Sequence, residues 1–566
     1  MIQPRFALFS LFVALVLVLG ACGTQVTSQG NALPPTTSAP GATVSGETNP
    51  FATVVPSAPS VPATPLPVPN TDGTITINAN GPTRELDYRL LGTNIPAWLN
   101  TDGLVNPTLI ERTRHSGTTI VRMPGGSWGN TYRWLDCQLE RAAGCTYAAR
   151  PSDFVQLLRD LDDAEGMWTV AFDETAEEAA ALVAFFNGQI TDNRPIGVDP
   201  RGRDWATVGT WARLRAELGH PDPVGLQLWE VGNEIYGGKA DTGTDCAPFG
   251  WEDGWTCDGV EYVHGKGEGA DRRQGFLEFR EKMQAVDPTI LVGAVGVPIQ
   301  REWSNWGNEV IAEAGQAMDF YIVHQYAYFE PPRTMEEALA EPQRTWRVIA
   351  SDVREGFVRY ANGRRVPIAV TEYNLFAFQD YDRDRWMTRA VNMLHLADTI
   401  GQMAEYGFAM GNQWNLANGV TESFGNYGLL DAGSLERYPQ YYVFPLWERF
   451  GPTLLPVSSS FDAQRDLSVY AGRTHDGELS LLVINKTPNV RKAAITLEGV
   501  SAVNGGRVDL AEADSLEAMQ VRFNGNPDPN NDLSDAPPFP LGGLSPFFTY
   551  DFTPYSITLL RLEVTP

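Results

Sequence analysis

Between about residue 85 and residue 430, eight short apolar runs alternate with stretches of helical periodicity. The runs fall at 90–94, 119–123, 168–172, 225–231, 290–294, 320–325, 367–371 and 407–414. Near-continuous apolar runs of this length suit strands covered on both faces, and strands separated by helices run parallel to one another. Eight such units are what a closed (β/α)8 barrel needs. The intervening segments carry helix punctuation. Thr175-Ala-Glu-Glu178 has the form of a capping box and opens an Ala- and Phe-rich helix that stops near Gly188. Ser152 precedes Phe154, Leu157, Leu158 and Leu161, an i, i+3, i+4, i+7 stripe that faces a sheet.

Beyond about residue 440 the pattern changes to alternation broken by turn signals. Asp476-Gly477, between apolar runs at 467–470 and 479–484, is a hairpin cue. Further strands are expected at 491–497 and 555–562, which makes this region a β-sandwich. The segment 524–540, full of Asn, Asp and Pro, reads as a mobile loop within it. Residues 74–79 alternate Ile with polar residues and are expected to add a strand to the sandwich. The fold class is therefore α/β: a (β/α)8 TIM barrel over 73–435 followed by a C-terminal all-β sandwich over 436–566, with 73–84 offered to the sandwich.

Residues 1–21 carry one cation, Arg5, ahead of an apolar stretch at 6–18. About 20 apolar residues are needed to span a bilayer, so this stretch reads as an export signal. Leu19-Gly-Ala-Cys22 resembles the bacterial lipoprotein signal, in which Cys22 becomes the lipidated N-terminus; the plainer reading is a cleaved signal with an incidental cysteine. Residues 23–72 are rich in Pro, Ser, Thr and Ala and hold only Glu47 and Asp72 as charges, a composition that forms no core and serves as a tether. The expected protein is exported and lipid-anchored to a bacterial membrane, with its catalytic body outside the cytoplasm. Net charge is −27 with no Lys/Arg-rich run, which excludes a phosphate-backbone binder. Cys137, Cys145, Cys246 and Cys257 allow three pairings, and the local bridges 137–145 and 246–257 suit an oxidising compartment. Their spacing does not suit zinc, and the six histidines include no HExxH.

Two segments, Leu228-Trp-Glu-Val-Gly-Asn-Glu234 and Ile368-Ala-Val-Thr-Glu-Tyr-Asn374, bring glutamates to the ends of apolar runs. One such carboxylate is ordinarily a solvated loop residue. Two of them, on the fourth and seventh strands of a barrel, meet at its C-terminal face, where the chemistry of this fold sits. Glycosidic cleavage requires such a pair, about 5–10 Å apart. Glu234 is assigned as acid/base, with a raised pKa, and Glu372 as the ionised nucleophile. Asn233 is placed to donate to a sugar hydroxyl. Arg122, closing the second strand, is placed to hold Glu372 ionised. His324 and Tyr326, at the sixth strand's end, are expected to orient the nucleophile and contact sugar. Glu230 shares strand parity with Glu234 and reads as a buried structural partner. Trp98, Trp128 and Trp414 are candidate stacking platforms. Gly125-Gly-Ser127-Trp-Gly129 matches a serine-hydrolase elbow but lacks the strand–turn–helix context, and Gly265-Lys-Gly-Glu-Gly269 follows no strand.

These segments resemble glycoside hydrolase family 51, the α-L-arabinofuranosidases of clan A. The resemblance runs through Val-Arg-Met-Pro-Gly-Gly (121–126), Tyr132-Arg-Trp-Leu-Asp136, Ala180-Ala-Leu-Val-Ala-Phe-Phe-Asn187, residues 219–234 ending Gly-Asn-Glu, Val286-Asp-Pro-Thr-Ile290, Glu372-Tyr-Asn374, Tyr441-Tyr-Val-Phe444 and 554–562. It implies a barrel with a C-terminal sandwich and retaining hydrolysis through a glycosyl-enzyme, with no metal or organic cofactor. The chain departs from the family where members carry a sugar-binding Glu after the first strand: here stands Gly92-Thr-Asn94-Ile-Pro, making Asn94 the candidate sugar contact. Ser127 replaces an Asn common after Pro-Gly-Gly, the eighth-strand Gln falls among Asn412, Gln413 and Asn415, and 237–269 is inserted. The leading expectation is an exo-acting α-L-arabinofuranosidase acting on plant polysaccharide or oligosaccharide. The alternatives are an endo-acting β-glycanase of the same clan and a non-catalytic sugar-binding lipoprotein.

Overall fold

The computed structural model describes residues 70–566 apart from 163, 240–245 and 420–424. The signal segment, Cys22 and the tether as far as residue 69 lie outside the described residues. Eight parallel strands close a barrel: Gly92–Asn94, Ile120–Met123, Glu165–Val170, Leu228–Val231, Leu291–Val295, Phe320–Tyr328, Ile368–Phe376 and Met410–Gln413, the eighth pairing with the first. All eight coincide with the apolar runs, with displaced ends. The third strand starts earlier and stops before Phe172, because that ring leaves the sheet to stack on Trp255 of the insertion at 5.1 Å. The helix Ala176–Asn187 is capped as expected by Thr175, whose side chain accepts from the Glu178 N–H, but the Glu178 carboxylate turns to Arg133 instead of completing the box. The helix Pro151–Leu161 begins one residue before Ser152, with Pro151 at its first position and the Asp153 carboxylate accepting from the Arg150 N–H.

Strand periodicity builds the barrel interior in layers, since every second residue of a strand points the same way. Ile120, Met167, Leu228, Phe320, Ile322, Ala369 and Met410 form a buried apolar plug. Two residues further along their strands stand Arg122, Thr169, Glu230, His324, Thr371 and Asn412, all buried. The plug seals the bottom, and a polar layer lies directly above it, at the C-terminal face.

The C-terminal region packs two sheets. One has the order Val457–Ser459, Gly73–Asn78, Arg491–Glu498, Phe547–Phe552, so the strand preceding the barrel lies inside it, parallel to Arg491–Glu498. The other is centred on Leu467–Arg473, Leu479–Asn485, Ser556–Thr565 and Ala502–Glu512. Leu479, Leu481 and Val483 face Ile75, Ile77 and Ile495 across the sandwich, while Leu482 and Ile484 turn to the barrel's helices. That double burial makes 479–484 nearly continuous in apolar residues. A buried ion pair reinforces the junction: Lys486 Nζ lies 2.7 Å from Asp398 on the helix Ala390–Glu405. The segment 524–540, read from composition as a mobile loop, is pinned instead. Leu533 and Ala536 are buried, and its backbone carbonyls at Pro529 and Asn530 accept from Arg437. Both expected disulfides, Cys137–Cys145 and Cys246–Cys257, are formed. Among the described residues no helix is long and apolar enough to cross a membrane.

Candidate active site

Glu234 follows the fourth strand through Gly232, whose φ of +86° leaves no room for a side chain: an added Cβ would meet Ile235 at 2.7 Å. Glu234 itself is left-handed, with φ +43°, a conformation that costs energy in a non-glycine residue and concentrates at functional sites. Its carboxylate is surrounded by donors. Oε1 accepts from the Tyr236 hydroxyl at 3.0 Å and lies 2.9 Å from His324 Nδ1, and Oε2 accepts from the Trp251 indole at 3.0 Å. Burial works to raise its pKa, but the hydrogen bond and charge of His324, then Trp251 and Tyr236, outweigh burial and hold it below the usual value. The expectation of a raised Glu234 is thus corrected. The proton affinity has moved to its partner: burial alone would lower His324, yet the charge of Glu372 and the contact with Glu234 raise it. The two shifts together favour the proton of the pair on its imidazole side.

Glu372 reaches the same space by another route. In strict alternation it would point away from Thr371, but the register between the sixth and seventh strands shifts there, so that His324 pairs with Glu372. Such an irregularity re-aims side chains beside active sites. Thr371 meets His324 Nε2 at 2.9 Å, and Glu372 turns inward beside it. Arg122 Nη1 donates to Glu372 Oε1 at 2.9 Å, and the Tyr326 hydroxyl donates to Oε2 at 2.6 Å. The other Arg122 donors go to Glu230 Oε1 at 2.5 Å, Asn233 Oδ1 at 2.7 Å and Asn94 Oδ1 at 2.8 Å. Arg122 and Glu230 are wholly buried, so the guanidinium is a fixed cation between two acids. Tyr326 orients Glu372 as expected. His324, expected there too, is bonded to Glu234 and stands 3.7 Å from Glu372.

One carboxylate oxygen from each of Glu234 and Glu372 and a ring nitrogen of His324 lie within 4.8 Å of one another. Such a triad has the ligand types of a metal site. Every carboxylate oxygen in it already faces a hydrogen-bond donor or the imidazole, however, so an ion would have to displace Arg122, Tyr326 or the Glu234 partners. The donor set is built for carboxylates.

The inserted segment contributes two residues that the sequence reading did not single out. Trp251 contacts Glu234, and the next residue, Glu252, is wholly buried, accepting from Asn130 Nδ2 at 2.7 Å and Asn233 Nδ2 at 3.2 Å while Ser127 Oγ lies at 2.5 Å. Burial, then the charge of Glu234, push its pKa up to about 9 against the hydrogen bonds of Ser127 and Asn130, so it is neutral at physiological pH. A glutamate in a loop carries no periodic signal, although the flanking Cys246 and Cys257 mark that loop as fixed.

Other candidates fall at different depths. Asn233 is buried, with its amide oxygen bonded to Arg122 and one amide hydrogen to Glu252. Asn94, expected to touch sugar, does not: it is wholly buried, with Oδ1 accepting from Arg122 and Nδ2 bonded to the carbonyls of Thr371, Asn412 and Gln413. It ties strands together. Trp414 lies over Gly125 and Gly126, where added Cβ atoms would come within 3.0 and 2.3 Å of its ring. That packing, and no nucleophile elbow, accounts for the glycines before Ser127. Trp128 stacks on Tyr147 at 5.5 Å, and Trp98 packs half-buried on the core.

Over 87% of its length the chain superposes on the whole of an α-L-arabinofuranosidase from Thermotoga maritima, solved with arabinose, at a TM-score of 0.66 and 18% identity. The same coverage, with a TM-score of 0.65 and 15% identity, relates it to a family 51 α-L-arabinofuranosidase from Bifidobacterium longum. The fold is that of these enzymes. A curated relative, an intracellular exo-α-(1→5)-L-arabinofuranosidase of Streptomyces lividans, is 27% identical over 237 residues, 39% of this chain and 30% of that protein. No family model matches the chain.

Proposed function

We propose that this protein is a retaining glycoside hydrolase of the family 51 type, an exo-acting α-L-arabinofuranosidase releasing arabinose from plant poly- or oligosaccharide. The observation that carries the reaction class is the approach of Glu234 and Glu372 to within 4.8 Å. Retaining enzymes hold their carboxyl groups about 5–5.5 Å apart, whereas inverting ones separate them by about 6.5–9.5 Å to admit a water. The likeness in fold and the curated relative support the choice of sugar.

In this reading a Glu372 oxygen attacks the anomeric carbon and forms the glycosyl–enzyme bond as the bond to the leaving oxygen breaks. Glu234 passes that oxygen the proton shared with His324. In the second half Glu234 takes a proton from water, whose oxygen attacks the same carbon and frees Glu372. Arg122 and Tyr326 aim the nucleophile through their hydrogen bonds to its two oxygens. Neutral Glu252 and Asn130 hold Asn233 beside the acid/base without adding a further negative charge.

Export to an oxidising compartment and a lipid anchor at Cys22 belong to the same proposal, supported by the leader composition, Leu19-Gly-Ala-Cys22 and the two disulfides. The test is hydrolysis of 4-nitrophenyl α-L-arabinofuranoside followed by NMR of the first-formed sugar. Release of the α-anomer is expected; inversion, or activity confined to internal cleavage of β-glucan or xylan, would refute the proposal.

A further inference from the structure

Around the mouth of the site the chain exposes aromatic rings that contribute little to its core. Phe249 and Trp251, on the disulfide-closed insertion, are 38% and 43% exposed, and their rings meet Trp303 at 5.0 Å each. Trp303 is presented by three consecutive left-handed residues, Trp303, Ser304 and Asn305, none of them glycine. Sustaining that backbone costs energy, which is characteristic of functional surfaces. Phe329, 57% exposed, lines one cavity with Trp303, and its ring lies 6.0 Å from that of Phe378, itself 50% exposed. Trp303 and Phe329 line this cavity, of about 500 Å³, together with His324 and Tyr326, the hydrogen-bond partners of Glu234 and Glu372.

The chemistry fixes which side of the cleaved bond this cavity serves. An acid/base must reach the leaving oxygen, so the leaving sugar lies on the Glu234 side, and Trp251 donates to Glu234 while packing on Trp303. The lining includes one acid, Glu302, and one fixed base, Arg344, with no excess of either sign to select a uronic acid or a phosphate. Broad aromatic faces suit the flat C–H face of a pyranose chair better than a puckered furanose. We infer that the walls Phe249–Trp251–Trp303 and Phe329–Phe378 form a leaving-group site for a neutral pyranose backbone, such as a xylan chain, from which a side-chain sugar is removed.

This inference rests on the hydrolase reading for its direction, and its test separates the two. In the full chain carrying Glu372→Ala, xylohexaose binding is measured by calorimetry before and after adding Phe329→Ala or Trp303→Ala. Each is expected to weaken binding about five- to tenfold, the size of one lost aromatic contact. Both rings are partly solvated, and circular dichroism verifies folding. In the otherwise unaltered enzyme, the same changes should lower kcat/KM on an arabinofuranosyl-substituted xylohexaose far more than on the aryl glycoside. Unchanged affinity in both variants overturns the site, as does tighter binding of linear α-1,5-arabinohexaose than of xylohexaose. If the wild type cleaves no arabinofuranoside yet the variants weaken xylohexaose binding, the hydrolase reading fails and the site stands.

Discussion

The tips of the fourth and seventh barrel strands each carry a glutamate into one cavity, and the surroundings of the two differ in kind. Glu372 is held by groups on the barrel strands themselves: Arg122 from the second and Tyr326 from the sixth. Arg122 is permanently charged, so this partner of Glu372 does not titrate at any working pH. Glu234 is held by an indole and a phenol from outside the sheet and by an imidazole, His324, that titrates. One glutamate faces a fixed cation, and the other faces a partner able to take up a proton. The barrel supplies the first kind of setting, while strand-end turns and an insertion complete the second.

The largest expected effect comes from the fixed side. Glu372→Ala should lower kcat by at least about 10⁴-fold on every substrate, as loss of a covalent nucleophile does. Azide or formate should restore part of the turnover of an activated aryl glycoside, with inverted product. Substantial turnover without such rescue would assign the nucleophile elsewhere. On the other side the effect depends on the leaving group. Glu234→Ala should cost about 10²–10⁴-fold on an oligosaccharide, whose leaving oxygen needs a proton, and far less on a dinitrophenyl glycoside. Equal losses on both substrates would remove the distinction between the two glutamates.

The titrating partner gives a pH prediction. Hydrolysis of a poor leaving group needs the proton held by the Glu234–His324 pair, so the alkaline limb of kcat/KM marks loss of that proton. In the wild type it sits on His324, raised above the ordinary 6.5. With His324→Asn only the Glu234 carboxyl remains, whose ordinary value is 4.5 and on which the raising by burial is still opposed by the Trp251 and Tyr236 hydrogen bonds. The limb should therefore move to lower pH, by about one unit or more. An unmoved limb would show that His324 takes no part in holding the proton.

How much of this could be read from the chain follows from how local each cue is. The eight strands were legible because each apolar run is continuous, and the two glutamates because each ends such a run. Parity along the fourth strand also placed Glu230 inside. The register shift at Thr371 was not legible, since it is a property of two strands paired together and neither sequence contains it. Asn94 misled for a related reason: it stands at a strand tip, but neighbouring carbonyls use up its amide, and those partners come from 371, 412 and 413. Glu252 was hidden by its loop, where an acid ordinarily meets water. The segment 524–540 misled by composition, because its Asn and Asp residues bond within the fold instead of to solvent.

The smallest effect tests the comparison most directly, because the same kind of donor is deleted from each glutamate. Tyr326→Phe removes a 2.6 Å hydrogen bond from Glu372 Oε2 in a buried setting. A hydrogen bond to a charged group contributes about 1.5–3 kcal/mol, so kcat should fall about 10- to 100-fold. Trp251→Phe keeps an aromatic face at the rim and removes only the indole N–H from Glu234 Oε2. Tyr236 and His324 remain on Oε1, and the indole is 43% exposed, so water can replace it. The expected loss on the aryl glycoside is within about fivefold. Since the indole is one of the groups lowering Glu234, its loss should raise the affinity of the pair for its proton and nudge the alkaline limb upward, opposite in sign to His324→Asn. A Trp251→Phe loss exceeding that of Tyr326→Phe would mean that the insertion governs the chemistry more than the barrel does.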